Sequence, residues 1–171
     1  MISTEAELYA AAIGALARRA HSVREMRQYL ERRSDDRAMA ATVLSRLRAE
    51  GLVDDARYAR QFARDRSSNR RQGSFRIGRE LRARGVADTH IQAALEELAA
   101  QVDEPAMIRR RIEVWLRRNS IADPSALDRA QTASLYQNLL RAGFPGDRIR
   151  AELRRLVHPS SQVLDHDSEY E

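Results

Sequence analysis

The sequence predicts an all-α protein built as three tandem three-helix repeats. Three observations predict it: a composition of helix formers, an apolar pattern that recurs three times, and turn signals placed between the recurrences. Only 7 Gly and 4 Pro interrupt 171 residues rich in Ala, Leu, Arg and Glu, and strand formers are sparse.

The recurrence is legible residue by residue. GVADTHIQAAL from Gly85 returns as GFPGDRIRAEL from Gly143, a shift of 58 residues. In that register Ile77, Leu81, Leu95 and Leu98 fall on Leu135, Leu139, Leu153 and Leu156, and a shift of 51 the other way lands them on Met26, Leu30, Leu44 and Leu47. Steps of 4 and 3 residues each hold two side chains on one helix face, and the 14-residue gap between them leaves room for a turn, so each copy contains a helical hairpin. A further amphipathic stretch precedes each hairpin: Tyr9, Ile13 and Leu16, then Tyr58, Ala59 and Phe62, then Ile108, Ile112, Trp115 and Leu116.

The punctuation fits this division. Ser22 and Glu25 have the spacing of a capping box, and Asp54 is placed to cap the helix carrying Tyr58 and Phe62. Gly51, Gly85 and Gly143 follow apolar-periodic segments, where a left-handed residue is wanted, and Pro105 and Pro124 suit first turns. These signals place the repeats at residues 4–53, 54–101 and 102–158. The acidic segment 159–171 is expected to be a disordered tail.

Composition narrows the function classes. With no Cys, disulfides, thiolate metal sites and cysteine nucleophiles are excluded, and a reducing compartment fits. No apolar run approaches the ~20 residues of a membrane span, and the start MISTEAELYA lacks the layout of a signal peptide, so a cytoplasmic location is expected. The net charge is +5; the tail from Asp165 holds four acids and no base, which leaves residues 1–164 with +9. All 30 basic residues are Arg, a choice that reads as codon bias, while the positive charge itself points to a polyanionic or acidic partner.

No catalytic or metal-binding constellation is present. His21, His90, His158 and His166 are scattered and read as exposed or capping residues, and Asp54-Asp55 reads as an N-cap and first-turn pair. Gly73 and Gly78 lack the Lys of a nucleotide-binding loop, so no cofactor is expected. The densest basic region lies mid-chain, where Arg64, Arg66, Arg70 and Arg71 precede a helix whose Arg76, Arg79 and Arg82 fall opposite Ile77 and Leu81. Two readings stand for these seven arginines: an ordinary solvated face, or contacts to nucleic acid or an acidic protein surface. Arg109-Arg110-Arg111 and Arg117-Arg118 form a second basic run, with Trp115 on the core stripe between them. The nine aromatics lie nearly all on core stripes, without the interleaved platform of a single-strand binder.

The stretch from Val43 to Leu95 resembles the RecX regulatory protein family. The residues carrying the resemblance are Leu52-Val53-Asp54-Asp55 with Arg57-Tyr58-Ala59, Gly73 with Arg76-Ile77 and Glu80-Leu81, and Arg84-Gly85-Val86. ALARRAHSVREMRQYL and LLRAGFPGDRIRAEL look like the family's first and third repeats. One departure is Ser34, which stands where the later copies have Gly85 and Gly143, so a different turn is expected there. The resemblance implies an elongated, curved array lodged in the groove of a RecA recombinase filament on DNA. It further implies a monomer without cofactor that inhibits ATP hydrolysis, strand exchange and filament growth in homologous recombination, DNA repair and the SOS response. Arg70, Arg71, Arg76 and Arg79 are the expected contacts to recombinase or phosphate. A sequence-specific helix-turn-helix regulator is the alternative, because three-helix units share that outline.

Overall fold

The computed structural model describes residues 2–157, and every regular element among them is helical. The tail expected over 159–171, with His158 and His166, lies outside the described residues. The helices are α1 (Glu5–Arg18), α2 (Val23–Glu31), α3 (Arg37–Ala49), α4 (Asp55–Arg70), α5 (Ser74–Ala83), α6 (Asp88–Gln101), α7 (Glu104–Arg118), α8 (Arg129–Ala142) and α9 (Gly146–Val157). A short 3-10 turn, Pro124–Ala126, precedes α8. Among the described residues the chain divides into two compact units: residues 2–70 with 77–101, and residues 71–76 with 102–157.

In the first unit, α1, α2 and α3 close over Leu8, Ala12, Met26, Leu30, Val43 and Leu47. The expected stripe on α1 is off by one position. Leu8, Ala12 and Ala15 face inward, Tyr9 and Leu16 pack at the edge, and Ile13 is 36% exposed. Alanine at the interior positions lets the helices approach closely, so side-chain size misleads the wheel there. The same device recurs in α4, where Ala59 and Ala63 are fully buried and the helix packs along α6, while Ile77 and Leu81 turn inward from α5. In the second unit Ile108, Ile112, Leu116, Leu135, Leu139, Phe144 and Ile149 make the core, and Trp115, Leu153 and Leu156 pack against it.

Three helices end in the same way. Gly51, Gly85 and Gly143 have φ of 69, 76 and 94°. In each case the glycine N–H and the following N–H return to the helix's last turn, as in Gly143 to Leu140 at 2.9 Å and Phe144 to Leu139 at 3.3 Å. The turn after α2 differs, as Ser34 implied. It closes without a left-handed residue, and the buried Ser34 hydroxyl accepts the Asp36 N–H at 3.1 Å.

Gly143 carries a second constraint. The Gly73 N–H donates to the Ala142 carbonyl at 2.9 Å and the Phe75 N–H to the Gly143 carbonyl at 3.0 Å, so residues 73–75 lie flat on the α8–α9 turn. A Cβ on Gly143 would stand 2.2 Å from Arg76 Cβ, and one on Gly73 would stand 2.4 Å from the Gly143 oxygen. Gly51 has nothing within 4 Å. Gly143→Ala is therefore expected to cost more than Gly51→Ala, at least about 3 kcal/mol against about 1 kcal/mol, in urea unfolding midpoints.

His21 departs from the exposed or capping role expected of it. It is buried, 8% exposed, with its Nδ1–H donated to the Arg19 carbonyl at 2.9 Å. Burial, and then the charge of Arg19, hold its pKa below the ordinary 6.5. Between 6.5 and that lower value the unfolded chain binds the proton and the folded chain does not, so stability falls as pH drops from 7 toward 5. Melting temperatures across that range are expected to show this slope, reduced in His21→Gln.

Candidate basic interface

The sequence-predicted arginines do not share one fate. In the first unit Arg64 pairs with Glu97 across α4 and α6, Arg66 meets Glu80 at 3.3 Å, and Arg82 meets Asp88 at 2.6 Å. These three cations are neutralised by the chain's own acids. Arg70, at the end of α4, and Arg79, on the outer face of α5, are exposed and have no ion-pair partner among the described residues. In the second unit Arg71 is also exposed and adopts a φ of 49°, and Arg76 is half-buried and donates to the Arg141 carbonyl at 3.3 Å. The opposition expected on α5 holds for Arg79 and Arg82, which face solvent while Ile77 and Leu81 are fully buried, but not for Arg76, which is half-buried.

Arg66 belongs to a network that the sequence did not reveal. Two guanidinium groups stack on the phenyl ring of Phe62, Arg66 at 4.7 Å and Arg84 at 4.6 Å from its centroid. Arg84 faces Glu25 at 3.9 Å, and Glu25 also takes Arg19 at 3.1 Å and the Tyr58 hydroxyl at 3.4 Å. Glu25 meanwhile accepts the Ser22 N–H at 3.2 Å, which completes the capping box read from the sequence. These side chains line a cavity of about 480 Å³ with Gln61 and Asp65 at its wall. The signal for it was present in the spacing of Tyr58, Phe62 and Arg66, four residues apart on one face of α4, with Arg84 supplied by the turn after α5.

The acid pair Asp54-Asp55 has the structural role expected of it. Asp54 Oδ1 accepts the Arg57 N–H at 2.9 Å, and this bond holds its carboxyl below the ordinary carboxylate value. Asp55 reaches the first N–H of α2, at Val23, at 2.8 Å. No group of His, Cys, Asp and Glu among the described residues is arranged to hold a metal. No helix among them is long and apolar enough to cross a membrane.

What the arrangement offers chemically is fixed positive charge, partly cancelled by short internal pairs and partly left to solvent. The two kinds of interaction differ in weight. Glu25→Ala removes a reciprocal cap and three further interactions and is expected to destabilise by about 2 kcal/mol in chemical unfolding. Arg64→Ala, at a solvent-exposed pair, is expected to shift stability by less than about 0.5 kcal/mol.

Comparison with known proteins places this geometry in a family. A family model described as RecX, first three-helix domain, matches residues 9–47, and one described as RecX, second three-helix domain, matches residues 54–95. The chain is 43% identical over 141 residues to the regulatory protein RecX of Halorhodospira halophila, covering 82% of this chain and 83% of that one. It is 32% identical over 145 residues to the regulatory protein RecX of Xanthomonas campestris pv. campestris, covering 84% and 83%. Its fold is similar to the crystal structure of RecX from Lactobacillus salivarius, with a TM-score of 0.77 at 20% identity, over 89% of this chain and 96% of that one. With three-helix domains matched in both halves of residues 9–95 and identity that extends well beyond them, the chain belongs to the RecX family of regulatory proteins.

Proposed function

We propose that this protein is a cytoplasmic monomer that binds a RecA recombinase filament on DNA and restrains it, lowering ATP hydrolysis, strand exchange and filament extension. Membership of a family of regulatory proteins supports the reading. The observation that carries it is the set of exposed arginines, Arg70, Arg71 and Arg79, that the chain leaves without carboxylate partners among its described residues. Arg70 and Arg79 stand on helices and Arg71 just past the end of α4, and cations not cancelled internally are available to an acidic protein surface or to phosphates.

The mechanism is steric and electrostatic. Successive repeats bridge neighbouring recombinase subunits, and Arg70, Arg71, Arg76 and Arg79 contact the partner or the phosphates of the DNA it holds. Arg64, Arg66 and Arg82, being paired within the fold, contribute less.

Reversal of Arg70, Arg71, Arg76 and Arg79 together to Glu is expected to lower affinity for preformed filaments by at least about 100-fold, since each reversal replaces an attraction with a repulsion. Inhibition of the recombinase's ATPase should fall in parallel. Unchanged filament binding and unchanged inhibition by the quadruple variant would remove the assignment.

A further inference from the structure

Arg111 is half-buried on α7 and has no ion-pair partner among the described residues. Its place on α7 explains the burial. It follows Ile108 by three residues and adjoins Ile112, both in the core, so it sits at the edge of the buried stripe. Its Nε donates to Asn138 Oδ1 on α8 at 3.2 Å, a neutral acceptor that leaves the positive charge uncancelled. Arg109, two residues earlier, instead meets Asp103 at 3.6 Å and the buried Glu152 at 3.2 Å.

More positive charge gathers around it. Arg118 follows Arg111 by seven residues, two helical turns, and so shares its face of α7. On α8, Asn138 and Arg141 are three residues apart on one face, and the Arg141 carbonyl receives Arg76 Nη1 at 3.3 Å. Arg76 is held there by the backbone bonds that seat residues 73–75 on the α8–α9 turn. Burial lowers the Arg111 pKa, and the charges of Arg118 and Arg76 lower it further, so the fold keeps like charges together at an energetic cost. Two acids of this unit are engaged with other partners: Glu104 takes the Ser74 N–H at 3.1 Å and Arg148 at 3.6 Å, and Glu152 takes Arg109 and Arg155.

Next to Arg76 in the chain stands Phe75, 67% exposed, well above Leu52 at 40%, Leu140 at 37% and Ile13 at 36%. Its backbone N–H is fixed on the Gly143 carbonyl, so the bare ring rises from an anchored turn. An exposed ring on the same turn that seats Arg76, in one unit with Arg111 and Arg118, suits a strand whose bases are unpaired, with phosphates on arginine and a base on the ring. A duplex keeps its bases stacked inside, and an acidic protein segment supplies charge without a nucleobase.

We propose that Arg111 and Arg118, with Arg76 at their edge and Phe75 as a stacking ring, form a subsite for single-stranded nucleic acid. The two α7 arginines take a phosphodiester and Phe75 takes a base. This subsite belongs to the chain alone and does not rest on the recombinase reading.

The test uses the full chain without recombinase, a fluorescein-labelled oligothymidylate, and anisotropy titrations over a series of salt concentrations. Arg111→Gln with Arg118→Gln is expected to weaken binding at low salt by about tenfold or more and to flatten the log K against log salt slope by about 1.4, roughly 0.7 for each phosphate no longer neutralised. Arg110→Gln with Arg117→Gln removes the same charge from an adjacent face of α7 and should leave the slope unchanged. Phe75→Ala is expected to weaken binding by about tenfold, a difference that disappears on a strand of abasic sites. Arg118→Gln alone, at an exposed side chain, gives half the slope change and keeps the test decisive if the Arg111 variant unfolds. Equal losses in the two double variants, or an unchanged Arg118→Gln slope, would overturn the phosphate half. Duplex bound more tightly than single strand, or Phe75→Ala without effect, would overturn the stacking half.

Discussion

The start of α2 is the point on which the first unit depends. The Ser22 hydroxyl accepts the Glu25 N–H at 3.1 Å and in the same geometry donates to the Arg84 carbonyl at 2.7 Å, 62 residues away. One oxygen therefore satisfies an orphan donor of α2 and an orphan acceptor at the end of α5. Asp55 closes the remaining gap from α4 by taking the Val23 N–H. Because Ser22 is fully buried, neither bond can be replaced by water without opening the packing, and the first two repeats are joined into one body by helix-end chemistry as much as by apolar packing.

A chain with 30 Arg and 25 acids has to decide which cations meet solvent. In the first unit the decision is made by pairs that cross between helices, Arg64 to Glu97 and Arg66 to Glu80, and by the stacking of Arg66 and Arg84 on Phe62. An exposed pair such as Arg64 to Glu97 adds little stability, but such pairs remove positive charge from some places and so define where it is left. Of the seven mid-chain arginines, those left exposed without an ion pair among the described residues are Arg70 and Arg79 in the first unit and Arg71 in the second, fewer than the run in the sequence suggests.

Helix number, the buried positions of α2, α5 and α8, the three glycine turns and the capping box at Ser22 were all legible in the sequence, because each follows from local periodicity or from a single backbone requirement. The inward face of α1 was not, since small residues carry it and hydropathy rewards large ones. Burial of His21 was equally hidden, because it depends on a neighbour's carbonyl and on packing. Pairing partners were the least legible feature. Nothing local distinguishes Arg64, tied to a glutamate 33 residues on, from Arg70, which is left to solvent. Arg111 reads in the sequence only as one of three in a row. Its distance of three from Ile108 is the available sign that it alone turns toward the core edge. Phe75 is not singled out in the sequence, where nearly all the aromatics fall on core stripes, yet it lies off the Ile77–Leu81 face and is 67% exposed.

The seating of Gly73 and Phe75 on the turn at Gly143 has a consequence in time. The carbonyls that receive those two amides are made about 70 residues after the donors. At a synthesis rate of 5–20 residues per second, the opening turn of α5 waits roughly 4–14 s for its acceptors. Ile77 to Ala83 meanwhile have their partners already or arrive at them soon, in α4 and α6. One continuous helix is therefore completed in two instalments, its body with the first unit and its first turn with the second, and a nascent chain halted before Gly143 would carry an α5 that is settled at one end and still open at the other.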